Sequence, residues 1–305
     1  MLNLPSIDFS QFDANETQGQ HTLACSKEIS LHLKVHSHPN VLSILEIFNY
    51  NNSKYPDINI ATLIVMDYHP RDLFTSIVED QLFVNDGYLI KKVFLQLCSA
   101  VYHCHSLNVY HCDIKAENIL FNPKTKSVYL CDFGLSTMSD TIAPNLSVGS
   151  SYYMAPERTA DSMANTDLEM DYFNIHFPSH MSDIWSMGII LINLTCIRNI
   201  WLKAHYKNDC LFKSYIDDNN VLKNLLPLSD EFFQLLIKIL KVNPMERISL
   251  IELMELIKEL KMFTSEGPLS TVAIMNEVDF RKTINVTDEE NENNEIIKLN
   301  EQILI

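Results

Sequence analysis

The stretch that most constrains this chain is Tyr110-His111-Cys112-Asp113-Ile114-Lys115-Ala116-Glu117-Asn118, which places an acid, an amine and an amide close together after a long helical pattern. An Asp can accept a hydroxyl proton, a Lys two positions on can meet a phosphate oxygen, and an Asn can hold a divalent cation. Phosphoryl transfer uses these parts. Taken alone, the stretch also reads as a polar turn after a helix. Its sequel narrows the choice: Asp132-Phe133-Gly134 follows an apolar hairpin pattern over Asn118 to Phe121 and Val128 to Cys131. Ala155-Pro156-Glu157 then closes the segment, and Ser182-Asp183-Ile184-Trp185-Ser186-Met187-Gly188 opens a helix.

In this order and spacing, the motifs resemble a eukaryotic protein kinase of the serine/threonine type. The kinase pattern H-R-D-L-x-x-x-N is met at His111, Asp113 and Asn118, with Cys112 in place of Arg and Ile114 in place of Leu. Lys115 fits the serine/threonine class. A closer likeness, to a group of fungal nutrient-responsive serine/threonine kinases, is carried by Leu31-His32-Leu33-Lys34-Val35-His36, Val65-Met66-Asp67-Tyr68, Asp72-Leu73-Phe74-Thr75-Ser76-Ile77-Val78, Gly149-Ser150-Ser151-Tyr152-Tyr153-Met154-Ala155-Pro156-Glu157-Arg158 and Ile192-Asn193-Leu194-Thr195-Cys196-Ile197-Arg198-Asn199. It runs from about Lys27 to about Leu269.

The resemblance implies an α+β fold, the two-lobed protein-kinase architecture, with a truncated β-rich upper lobe and a complete helical lower lobe. Residues 1–26 are expected to be an irregular arm, 27–68 a partial upper lobe, 69–269 the lower lobe and 270–305 an acidic disordered tail. The implied cofactors are ATP and Mg2+, and the implied partners are proteins with Ser/Thr acceptors. By the same likeness Asp113 is the base, Lys115 neutralises the transferring phosphoryl oxygens, and Asn118 and Asp132 ligate Mg2+. Glu28 takes the place of the helix Glu that pairs with a strand Lys. Met66 becomes the gatekeeper, with Asp67, Tyr68 and His69 forming the hinge against adenine. Asp72 meets a ribose hydroxyl or caps the next helix. The Ser150 hydroxyl bonds Asp113 and Lys115, and Glu157 pairs with Arg247 to tie the activation segment to the lower lobe.

Local pattern supports part of this layout. Val41 to Phe48 and Ile58 to Met66 read as a hairpin. Leu89, Val93, Phe94, Leu97 and Val101 form a helical stripe, as do Phe232, Leu235, Leu236, Ile239 and Leu240, which Pro244 stops. Over Ser26 to Val35 pattern and resemblance disagree. Ile29, Leu31, Leu33 and Val35 alternate as in a strand, whereas the likeness asks for a helix, which Ile29 and Leu33 at i,i+4 permit and which is the expectation followed. Only Gly19 precedes Gly87, and no Lys or Arg precedes Lys27, so the Gly-rich turn and strand Lys of a kinase are not found. That gap leaves open a second class of function, a pseudokinase or kinase fragment acting as a binding scaffold.

A chain of 305 residues with 47% hydrophobic residues can bury a sizeable core. Its net charge of −16 argues against nucleic acid or an anionic membrane as obligate partner, because both repel an acidic surface. A monomer is expected. The 7 cysteines show no framework spacing and follow no secretory signal, which points to a reducing, cytoplasmic setting, with the nucleus as a second compartment. Cys131 reads as a buried structural thiol. His103-Cys104-His105 and His111-Cys112 offer zinc ligand types, but at no common zinc spacing. The apolar run Ile184 to Leu194 is shorter than the roughly 20 residues of a spanning helix, and reads as a core helix. The stretch between Arg158 and Ser182, with Asp161, Asp167, Glu169 and Asp171, reads as a solvated loop.

Cys112 is the informative departure. The Arg usual at this point pairs with an activation-segment phosphate, and a thiol has no charge to do so. Phosphorylation of Ser147 or Ser150 is therefore expected to leave activity nearly unchanged in a comparison of phosphorylated and phosphatase-treated chain. A large gain on phosphorylation contradicts this.

Overall fold

The computed structural model describes residues 18–51, 59–142, 149–159 and 177–265. Ser147, the expected tail at 270–305 and most of the loop between Arg158 and Ser182 lie outside the described residues. In chain order the elements begin with α1 (Gln18–Val35) and an antiparallel hairpin of β1 (Ile44–Asn51) and β2 (Asn59–Met66). The short α2 (Leu73–Val78) and long α3 (Gly87–Ser106) lead to a second hairpin, β3 (Ile119–Asn122) with β4 (Ser127–Leu130). The pair β5 (Thr141–Ile142) and β6 (Phe177–Pro178) precedes α4 (Ser179–Cys196). Then come α5 (Cys210–Asp217), α6 (Val221–Leu225), α7 (Asp230–Ile239) and α8 (Leu250–Glu259).

Helix starts follow from short acceptors placed before apolar stretches. Asp72, Asp86, Asp209, Ser229 and Ser249 each accept a hydrogen bond from the amide three residues on, satisfying a donor the helix itself leaves open. The run read as a core helix is α4, buried at every position from Ser182 to Thr195. A helix apolar all round must be enclosed, and α3 and α7 pack against it. In the lower lobe Trp185, Trp201, Phe212 and Tyr215 form one aromatic cluster, with Trp185 and Trp201 centroids 5.8 Å apart.

In the upper part the helix that the likeness asks for is met, and the expected arm is partly helical. Over Ser26 to Val35 the chain is helical, so the period-two alternation misleads: Leu31, His32 and Val35 are buried while Leu33 is 41% exposed. Burial at i, i+1 and i+4 is a narrow helical stripe, and Leu33 falls outside it. The helix also begins at Gln18, so residues 18–26 of the expected arm are helical. The sequence there holds Leu23 and Ala24, good helix formers, with no Pro.

The link after α1 is fastened to the lower lobe. Leu42 N–H donates to the Leu130 carbonyl and Leu130 N–H to that of Asn40, both at 2.9 Å. The Asn40 amide donates to Gln96 and to the Val128 carbonyl. These bonds set the height at which α1 approaches the second hairpin.

Gly188 marks a close approach of two core elements. A Cβ there would lie 2.6 Å from Ile239 Cγ2 and 3.0 Å from Leu240 Cδ2, so α4 and α7 meet where α4 has no side chain. Gly188→Ala is expected to destabilise by about 1–3 kcal/mol through overpacking, despite alanine's better helix propensity. Chemical denaturation measures this, and an unchanged or raised midpoint contradicts so tight a packing.

Candidate active site

The loop from His111 to Asn118 leaves α3 and is seated on α4 through one carboxylate. Asp183 Oδ2 accepts from His111 N–H at 2.9 Å, and Oδ1 from Cys112 N–H at 2.8 Å. The His105 ring donates to Oδ2 at 2.9 Å. Burial alone pushes Asp183 up, but the His105 ring, then the charge of His111 and the Cys112 amide, outweigh it and hold the carboxyl below its usual range. Sequence reading did not assign Asp183 a role. The available signal was a lone carboxylate at the head of an otherwise apolar run. Of the other zinc-type residues, the His103 ring stacks on His38 and Cys104 is buried in the core.

Phe133 and His111 pack. The Phe133 ring lies 4.9 Å from His111 and 4.7 Å from His32 of α1, and His111 Nε2 is 3.0 Å from the Cys131 carbonyl. This packing joins the Asp132 turn to the loop and to α1.

Asp113, Lys115 and Asn118 meet within hydrogen-bond distance. Asp113 Oδ2 lies 3.0 Å from Lys115 Nζ, and Asn118 Nδ2 donates to the same oxygen at 3.1 Å and to the Asp113 carbonyl at 3.0 Å. Burial would lower the Lys115 pKa; the hydrogen bond and charge of Asp113, then Glu117 and Asp132, outweigh it and raise it. The amine is therefore charged at neutral pH. Because Asn118 donates its amide hydrogens to Asp113, its Oδ1 is left as a cation acceptor.

Ser150 reaches Asp113 by a different atom from the one expected. Its backbone N–H, not its hydroxyl, donates to Asp113 Oδ1 at 3.2 Å. The cause is Gly149, whose φ of +117° turns the chain toward the carboxylate, and where a Cβ would lie 2.9 Å from Asp113 Oδ1. Glycine is needed here for both conformation and room.

Asp132 follows Cys131, whose N–H donates to the Asn118 carbonyl at 3.0 Å, so it stands beside the loop. Its left-handed φ of 64° lets Oδ1 accept from Gly134 N–H at 3.2 Å. Asn118 Oδ1 and the Asp132 carboxylate are hard oxygen donors on neighbouring turns, and this donor set fits Mg2+. The Cys131 thiol is pushed up to about 12, mainly by burial and then by Asp132 and Asp72, and is a neutral group at physiological pH.

Glu28 projects from α1 toward the same turn. Its pKa is raised, first by burial and then by the charge of Asp132, and among the described residues no Lys or Arg pairs with it. At the end of β2, Met66, Asp67 and Tyr68 are exposed, while the His69 ring stacks on Tyr129 at 4.1 Å. Asp72 caps α2, accepting from Thr75 N–H through Oδ1 at 2.6 Å, so of its two readings the capping one is met.

The far end of the activation segment is fixed by a buried ion pair. Arg247 donates to both Glu157 oxygens at 2.6 Å, and to the carbonyls of Lys241, Met181 and Val242. A guanidinium has five N–H donors, and these bonds use all of them. Its face lies 4.9 Å from the Trp185 ring, adding a cation–π contact.

Fold and site together describe a two-lobed protein kinase with a small β-containing upper lobe, and the protein kinase domain family matches residues 11–257; the chain belongs to that family. Among its relatives is the serine/threonine-protein kinase SKS1 of Saccharomyces cerevisiae, 52% identical over 276 residues, covering 90% of this chain and 53% of that protein. Serine/threonine-protein kinase VHS1 of the same yeast is 47% identical over 295 residues, covering 96% of this chain and 62% of that one. A Schizosaccharomyces pombe protein described as a negative regulator of sexual conjugation and meiosis is 36% identical over 249 residues, covering 78% and 51%. The chain thus spans between 51% and 62% of these relatives' lengths.

Arg247→Met tests the buried pair. Leaving Glu157 charged and enclosed is expected to cost about 3–5 kcal/mol of stability in urea unfolding. A loss below about 1 kcal/mol, the scale of a surface ion pair, contradicts the enclosure.

Proposed function

We propose that the chain transfers the γ-phosphoryl group of ATP to Ser or Thr hydroxyls of proteins, within nutrient signalling in the cytoplasm. The observation that carries this reading is the contact set of Asp113, Lys115 and Asn118, with Asp132 on the adjoining turn. Asp113 orients the acceptor hydroxyl and takes its proton. Lys115, held cationic beside it, neutralises charge on the transferring oxygens as the bond to the leaving phosphate breaks. Asn118 and Asp132 would hold Mg2+, which would supply positive charge to offset that of the phosphate oxygens. The backbone of Asp67 to His69 takes adenine, and Asp72 turns its second oxygen to ribose. The pathway rests on the likeness to fungal nutrient-responsive kinases described above.

A second reading, a nucleotide-binding scaffold, is favoured by one feature. The charged neighbour of Glu28 is the acid Asp132, where a catalytic kinase has a phosphate-anchoring Lys.

Phosphate transfer from labelled ATP, measured for the chain beside Asp113→Asn, separates the two. The proposal expects a rate well above background that falls at least about 100-fold in the variant, the usual range for loss of a general base. Equal background rates, combined with stabilisation of about 2.7 kcal/mol by Mg-ATP at 100 times its Kd, would establish the scaffold instead.

A further inference from the structure

Cys112, immediately before the proposed base, adopts a left-handed conformation with φ of 63°. A residue bearing a Cβ takes that region only at a steric cost, which surrounding contacts can offset. Both ends of its backbone are gripped. Its N–H donates to Asp183 Oδ1, and its carbonyl accepts from the Arg158 guanidinium Nη1. Arg158 is 4% exposed and ends the Pro156–Arg158 turn, next to Glu157 in its ion pair with Arg247. A guanidinium stays charged at any physiological pH, so enclosing one demands strong acceptors, and the Cys112 carbonyl is one of them.

That carbonyl belongs to the peptide joining Cys112 to Asp113. Its direction sets the Asp113 backbone and hence the aim of the carboxylate that meets Lys115, Asn118 and the Ser150 amide. We infer that Arg158 is a positioning residue for phosphoryl transfer: by holding the Cys112 carbonyl it locks the left-handed Cys112 and aims Asp113. The anchored end of the activation segment is thereby linked to the base with no phosphate between them. Asp183 acts on the same residue from below, through the amide on the opposite side of its Cα. The Cys112 side chain, a buried neutral thiol, takes no part in the hold.

The inference rests on the kinase reading, and the test keeps the two separable. The full chain is assayed with Mg-ATP and dephosphorylated casein as acceptor, alongside Arg158→Gln, Cys112→Gly and the double variant. Arg158→Gln is expected to lower kcat by about 10- to 100-fold with KM for ATP within about twofold, because the base is misaimed while the nucleotide site stands. Adding Cys112→Gly should restore at least half of the lost activity on a logarithmic scale, since glycine takes the left-handed region without steric cost. Hydrogen exchange at the Asp113 amide, which lies 3.3 Å from His111 Nδ1, gives a readout independent of turnover: faster in Arg158→Gln, slowed again in the double variant. If Arg158→Gln does not fold, Arg158→Lys is read in its place, again with and without Cys112→Gly.

Unchanged kcat and unchanged Asp113 exchange in the Arg158 variant overturn the inference. So does a loss of activity that glycine at 112 fails to relieve, which would mark Arg158 as merely structural. Background activity in the unmutated chain would defeat the kinase reading alone, and the exchange data would still decide whether Arg158 holds the peptide.

Discussion

The active loop depends on one carboxylate removed from water. Asp183 sits at the head of a helix buried on every side, where an unpaired charge would cost several kcal/mol. It is tolerable because three donors converge on it, and two of them are backbone amides of the loop. The core thus needs the loop to satisfy Asp183, as the loop needs Asp183 to hold a left-handed residue. That mutual requirement carries rigidity from the packed helix to Asp113, two residues from His111.

Around this point the activation segment is fastened at intervals. Tyr110 and Thr137 exchange backbone hydrogen bonds, the β5–β6 pair holds the next stretch, Gly149 and Ser150 close on Asp113, and the Glu157–Arg247 pair fixes the end. Each fastening uses backbone groups or an enclosed ion pair, which salt screens little. Between them Asp113, Glu117 and Asp132 gather negative charge around Lys115, with Glu28 beside Asp132. Glu28 and Glu117 are held above the usual glutamate range, each first by burial, and such an acid excess suits a site that works with a bound cation.

The lower lobe and the charged centre were legible in the sequence because their signals are local. Helical stripes and a stop at Pro244 mark α3 and α7, and the loop's reactive groups lie within a few residues of each other. What stayed hidden is long-range or conformational. Asp183 and Arg158 meet the loop from 71 and 46 residues away, and no periodicity reports such contacts. The left-handed Cys112 has no glycine to announce it. Ser150 was the right residue with the wrong atom, since the turn at Gly149 decides which group faces Asp113. Over α1 the alternation of Ile29, Leu31, Leu33 and Val35 mimicked a strand, because only a thin stripe of that helix is covered and Leu33 is free to be apolar without packing.

Native-state hydrogen exchange at the amides of His111 and Cys112 tests the dependence on Asp183 most directly. Both donate to a fully enclosed carboxylate, so protection close to that of the α4 backbone is predicted, opening only with the fold as a whole. Exchange at the rate of an exposed loop, with α4 still protected, would show that the carboxylate does not hold the loop and would contradict the account.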